Sequence, residues 1–199
     1  MALWGTILNI AINLLILLLF STSALAEHYC LETGPESTKR IKLDKSLPST
    51  WWKIGGFDLL KEDLAISIVK TYPEYSVIHS SGGYLCLGNS SSYVMVSEHG
   101  FGNSLRISAK PPKCTKECIK NKVSDNELPV MDLGLKIGQS KEIVSKLLGI
   151  EIVDDVTSIE FQNIEDGKDF EIWHIESLQL TFKKNKLIDL SLDDYREGN

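Results

Sequence analysis

The residues of this chain best suited to chemistry are four histidines, His28, His79, His99 and His174, and four cysteines, Cys30, Cys86, Cys114 and Cys118. A hydrolase triad could be drawn from Ser81, His79 and Glu98, with the imidazole taking the hydroxyl proton. The Gly-x-Ser-x-Gly elbow that exposes such a serine is missing. A Cys86–His99 pair could make a nucleophilic thiolate only if the thiol were free. Cys114 and Cys118 could form half of a zinc site, but no second Cys or His pair follows at metal spacing. Their spacing is not Cys-x-x-Cys, so a redox catalyst of the usual kind is not indicated. Asp154-Asp155, Asp166, Asp169 and Asp193-Asp194 read as solvated turns at strand ends, because a dense calcium loop of the Asp-x-Asp-x-Asp-Gly type is lacking. No catalytic, cofactor-binding or metal-ligating set is read from these residues.

The cysteines acquire a meaning from the start of the chain. None of the 21 Lys+Arg and 27 Asp+Glu residues lies in the first 26 positions. An unbroken apolar run from Leu14 to Phe20 is followed by Ser21-Thr22-Ser23 and then by Ala24-Leu25-Ala26. That order of hydrophobic core, polar break and Ala-x-Ala site is a secretory signal peptide, with cleavage expected between Ala26 and Glu27. The competing reading is an uncleaved anchor, since the front region has no Lys or Arg and residues 2–20 nearly suffice to span a bilayer. Export places the protein in the periplasm or outside the cell. An even number of cysteines in an oxidising compartment reads as two disulfides. Three pairings are open; Cys114–Cys118 with Cys30–Cys86 is favoured, because three intervening residues can close one turn.

Other surface candidates are aromatic or basic. Trp51-Trp52 would point to opposite faces of an extended segment, leaving at least one at an edge or interface. Tryptophan is enriched at binding hot spots. Trp51, Trp52 and Trp173 are therefore the candidate partner-binding residues. Lys110, Lys113, Lys116, Lys120 and Lys122 could touch anionic lipid, a peripheral membrane contact. No aromatic residue interleaves them, and the net charge is −6, so nucleic acid is not an expected partner.

The elements that would position these groups follow from periodicity. Residues 27–50 form a polar arm. In a first unit, 51–109, Leu60, Leu64, Ile68 and Tyr72 predict a helix over 58–72 that Pro73 ends. Short strands Tyr75–His79, Tyr84–Leu87, Tyr93–Ser97 and Leu105–Ala109 then predict a meander. Residues 110–129 are a Lys- and Pro-rich linker holding a cysteine pair. In a second unit, 130–199, Ser140 caps a helix that ends at Gly149. Four strands with one apolar and one polar face follow. The expected fold is α+β: two tandem small units, each a helix packed on an antiparallel sheet, after a cleaved signal peptide.

The second unit resembles a known family. Gly134-Leu135-Lys136-Ile137-Gly138-Gln139-Ser140 through Val144 and Leu147-Leu148-Gly149 looks like the opening of SmpA/OmlA-type outer-membrane assembly proteins. The run from Trp173 through Leu178-Gln179-Leu180-Thr181-Phe182 to Ile188 is similar to their closing hairpin. The likeness covers residues 131–192. The same small unit occurs in tandem in β-lactamase-inhibitor-protein-like domains. The resemblance implies a non-catalytic envelope protein that binds other proteins.

The combined expectation is an exported protein-binding or assembly module without enzymatic activity and without a cofactor. Its partner would be a protein of the cell envelope. The alternatives are a secreted proteinaceous enzyme inhibitor and a small periplasmic hydrolase.

Overall fold

Alternating apolar and polar residues outnumber helical patterns in this chain, and they fold into one large sheet. The computed structural model describes residues 39–61, 64–79, 82–99, 102–111, 121–166 and 171–198. All of these lie in the compact unit Thr33–Asn199. The signal-peptide reading, Cys30, His28, Ser81, Cys114 and Cys118 fall outside the described residues. Among the described residues no helix is long and apolar enough to cross a membrane.

The chain enters as strand β1 (Lys39–Leu43) and a short 3₁₀ turn (Ser49–Trp52). A small hairpin follows, β2 (Lys53–Ile54) and β3 (Phe57–Asp58), and then helix α1 (Leu64–Thr71). Next come β4 (Ser76–His79), β5 (Gly82–Gly88), β6 (Tyr93–His99) and β7 (Gly102–Ser108). Helix α2 (Lys141–Leu148) precedes β8 (Val156–Asp166), β9 (Glu171–Lys183) and β10 (Lys186–Gly198). Eight of these ten strands form one sheet in the order β1-β8-β9-β10-β7-β6-β5-β4, and β2 and β3 pair with each other. Among the described strand pairings of this sheet, only β1–β8 is parallel.

This corrects the expectation of two tandem helix-on-sheet units. The strands of the first half and of the second belong to the same sheet, joined where β10 pairs antiparallel with β7 from Asp189↔Ser108 to Tyr195↔Gly102. The physical reason is the edge. Two separate sheets would leave β7 and β10 with unpaired backbone groups, and pairing them removes both edges. The local pattern of a helix followed by hairpins is the same in either arrangement, so periodicity could not tell them apart.

Several local elements also differ from expectation. Residues of the supposed polar arm form β1, parallel to β8, with Ile41 opposite Ile159. The helix predicted over 58–72 starts only at Leu64. Before it, Gly55 and Gly56 adopt positive φ (55° and 86°) and turn β2 into β3, which suits a two-residue hairpin turn. Leu59 rather than Leu60 is therefore the buried residue of that stretch. In place of four short strands after α2 there are three long ones. Residues 171–183 keep one phase of alternation without a break, so they form a single strand. Lys184 and Asn185, both at positive φ, close β9 onto β10.

One face of the sheet is the core face. Leu85, Leu87, Val94, Val96, Leu105, Ile107, Ile159, Leu178, Leu180, Phe182, Leu190 and Leu192 share one contiguous cluster. It is covered by Leu47, Trp51, Trp52, Ile54, Phe57 and Leu59, by Leu64 and Ile68 of α1, and by Val144 and Leu148 of α2. Trp51 and Trp52 are both interior. The extended segment assumed for them is a 3₁₀ turn, in which neighbours need not point to opposite sides. Helix α2 is held as the sequence implies: the Ser140 side chain accepts from the Ile143 backbone N–H, and Gly149 ends it at φ 69°. A register shift between Leu187 and Asp189 brings both Leu187 and Leu190 to the core.

Candidate functional site

Strands β8, β9 and β10 run past the apolar core, and the core face turns polar where they do. Along β9 the inward phase runs Phe182, Leu180, Leu178, and then Glu176 and His174. Along β10 it runs Leu190, Leu192 and then Asp194. The register sets Glu176 directly opposite Asp194 and His174 opposite Arg196. The shift near Ile188 fixes this phase, so it decides that Asp194 and not Asp193 points inward.

His174 Nε2 donates to Asp194 Oδ1 at 2.7 Å. A carboxylate only accepts, so the hydrogen of that bond sits on the imidazole. Glu176 Oε1 faces the same nitrogen at 3.6 Å, which is beyond hydrogen-bonding distance. The other Glu176 oxygen accepts the backbone N–H of Leu47 at 2.6 Å. The Leu47 turn, which follows β1, thus folds over the carboxylate and orients it. Phe161 of β8 meets the His174 ring edge-on at 6.3 Å between centroids. The side chains of Glu176 and Asp194 are 5% and 8% exposed, and that of His174 is 19% exposed. Two carboxylates directly opposite on a buried sheet face repel each other. Positive charge between them, from an imidazolium or a metal ion, offsets that repulsion.

Close packing holds the Asp194 side of this group. A Cβ at Gly102 would overlap the Asp194 carbonyl oxygen, so only glycine lets β7 approach β10 there. Next to it, the Asn103 amide donates to the Leu59 carbonyl and ties the covering segment to the sheet.

The opposite face has different chemistry. Arg106 makes a two-pronged ion pair with Asp189, at 2.7 and 3.2 Å. Asp193 lies among Ser191, Ser177 and Ser104 by register. Burial pushes its carboxyl up to about 6, against the pull of the Ser191 hydrogen bond and the Arg106 charge. Beyond Asp193, Ile164 pairs with Trp173 across β8–β9, and Ile175 pairs with Tyr195 across β9–β10. These four residues share this face at the far end of the long strands. Ile164 is 46% exposed, and Trp173 and Ile175 are half-buried.

The residues singled out from sequence fare differently. Trp173 lies on the outer face within this strip, whereas Trp51 and Trp52 fill the core. His79 and His99 are register partners of the same residue, Gly82, on either side of β5, and Glu98 registers with Gly83. Cys86 is buried on the outer face against Met95 and Tyr93 and is not a free thiol. Of the linker lysines, Lys122 lies over the Tyr93 ring at 4.2 Å and donates to its hydroxyl. Asp193 and Asp194 lie inside β10 and not in a solvated turn. Sequence reasoning missed the convergence of His174, Glu176 and Asp194. The signal was available in part: all three share the alternation phase of Leu178, Leu180 and Leu192. Comparison with protein-family models, with curated proteins and with solved structures finds no match for this chain.

Proposed function

We propose that this is an exported, non-catalytic module that binds a protein of the cell envelope through the outer face of its sheet. The single observation that carries the reading is the strip of Ile164, Trp173, Ile175 and Tyr195. Both helices and the covering residues Leu47 to Leu59 pack in the core cluster on the other face. The strip is thus an apolar and aromatic surface on a rigid scaffold, the kind of surface that supplies binding hot spots. The apolar leader of residues 1–26, read as cleaved before Glu27, supports an envelope setting.

The test is site-specific crosslinking in the envelope of the source cell. A photoreactive residue replacing Trp173 is expected to give one discrete protein adduct. The same residue at Lys146, on the exposed surface of α2, should give none. Substituting Ile164→Asp, with the photoreactive residue kept at 173, should abolish the adduct. An identical adduct from both positions, or efficient hydrolase turnover by the purified protein, would overturn the reading.

A further inference from the structure

We propose that His174, Glu176 and Asp194 form a binding site for a first-row divalent transition metal, with zinc as its probe. This inference concerns the core face of the sheet and does not rest on the outer-face strip.

The argument begins with the ligand atoms. One nitrogen and two carboxylate oxygens converge, all within 4.8 Å of one another. Metal bonds of about 2.1 Å at tetrahedral angles separate ligand atoms by about 3.4 Å. The observed separations of 2.7 Å and 3.6 Å from His174 Nε2 bracket that value. Small rotations about the side-chain torsions would reach it. Losing the His174–Asp194 hydrogen bond is part of that exchange, since the nitrogen must present a lone pair to the metal.

The surroundings point the same way. Glu176 is buried, and its Oε1 is aimed into the group at a distance too long for a hydrogen bond. Its other oxygen is already fixed by the Leu47 backbone N–H. An outer partner that orients a ligating carboxylate in this way is a recurring part of metal sites. The three ligands stand on two adjacent strands of a rigid sheet, so the arrangement is largely formed in advance. The half-buried His174 leaves one side open for a water or a fourth ligand. An imidazole with two carboxylates and no sulfur suits Zn²⁺, Mn²⁺, Fe²⁺ or Co²⁺ better than Ca²⁺ or Mg²⁺, which prefer all-oxygen sets.

The experiment uses the purified full chain. Protein freed of metal by chelator is loaded with Zn²⁺ or Co²⁺, desalted, and assayed by atomic spectrometry and thermal unfolding. One retained ion per chain and a raised Tm are expected. Bound Co²⁺ should show the visible absorption of a four- or five-coordinate site, without the near-ultraviolet charge-transfer band of a cysteine thiolate. His174→Gln and Asp194→Asn should each weaken Zn²⁺ binding at least tenfold. Far-UV circular dichroism reports whether each variant folds. If Asp194→Asn does not fold, His174→Gln, at the more exposed of the two side chains, decides alone. No retained metal in the wild type, or unchanged retention in a folded variant, overturns the proposal.

Discussion

At Asp193 a carboxylate is held in a sheet where water reaches it poorly. Its folded pKa of about 6 lies well above that of an exposed aspartate, first because of burial. The native state therefore binds this proton more tightly than the unfolded chain does. Between about pH 4 and pH 6 the ionised form becomes dominant, first in the unfolded chain and then in the native one. The contribution of this group to stability is full below that window and is lost as pH rises through it. Asp193→Asn removes the penalty. The variant is expected to be more stable than wild type at pH 7 by up to about 3 kcal/mol. At pH 3.5 the difference should vanish. Urea unfolding at the two pH values checks this, and a variant less stable at pH 7 would contradict the account. Residue chemistry of this kind was poorly legible in the sequence. Asp193 and Asp194 are adjacent and chemically identical. Only the phase of β10, set by the register shift near Ile188, sends one to each face of the sheet.

Among the elements, the β7–β10 joint holds the molecule together, and Gly102 is its tightest point. A side chain there would meet the Asp194 backbone. Gly102→Ala should force the strands apart, with a loss of about 1–3 kcal/mol. A lower denaturation midpoint at unchanged m-value would report this, and unchanged stability would show that the strands can shift freely. Helix α2 offers a comparison in which the sequence was sufficient. Its cap, its Gly149 stop and its buried Val144 and Leu148 all appear where local rules place them. Ser140→Ala should cost about 1 kcal/mol in the same assay. The paired tryptophans show the limit of local rules. Whether two neighbours face opposite ways depends on whether the backbone is extended, and at 49–52 it is helical.

For the whole molecule, one sheet and one core replace two tandem units. The core cluster takes residues from both halves, among them Leu85 and Val96 from one and Leu178 and Leu190 from the other. A fragment of residues 130–199 would expose the β10 edge and lack half of its apolar partners. It should show no cooperative unfolding transition when expressed alone, as measured by circular dichroism. A cooperatively folded fragment would restore the two-unit description. The chain path also bears on how the cysteines would pair. Asn121 and Val123 hydrogen-bond to Gly88 at the edge of β5, and the Asn121 amide donates to the Cys86 carbonyl. Cys118 lies only three residues before Asn121, whereas Cys30 lies nine residues before β1 at the opposite edge of the sheet. Peptide mapping without reductant is accordingly expected to link Cys86 to Cys118 or Cys114. A Cys30–Cys86 peptide would contradict this.

The sequence by itself determined most of the strands and their faces, helix α2 with both of its ends, and the apolar leader. Each is a consequence of interactions within a few residues: alternation, capping, and the cost of bending a backbone through a positive φ. The tertiary structure alone decided which strand edges meet, and therefore that there is one sheet. It also decided that the Leu47 turn closes over Glu176, and that His174, Glu176 and Asp194 converge. Those outcomes depend on contacts between segments far apart in the chain, and the pattern of apolar and polar residues is the same whichever partners the strands choose.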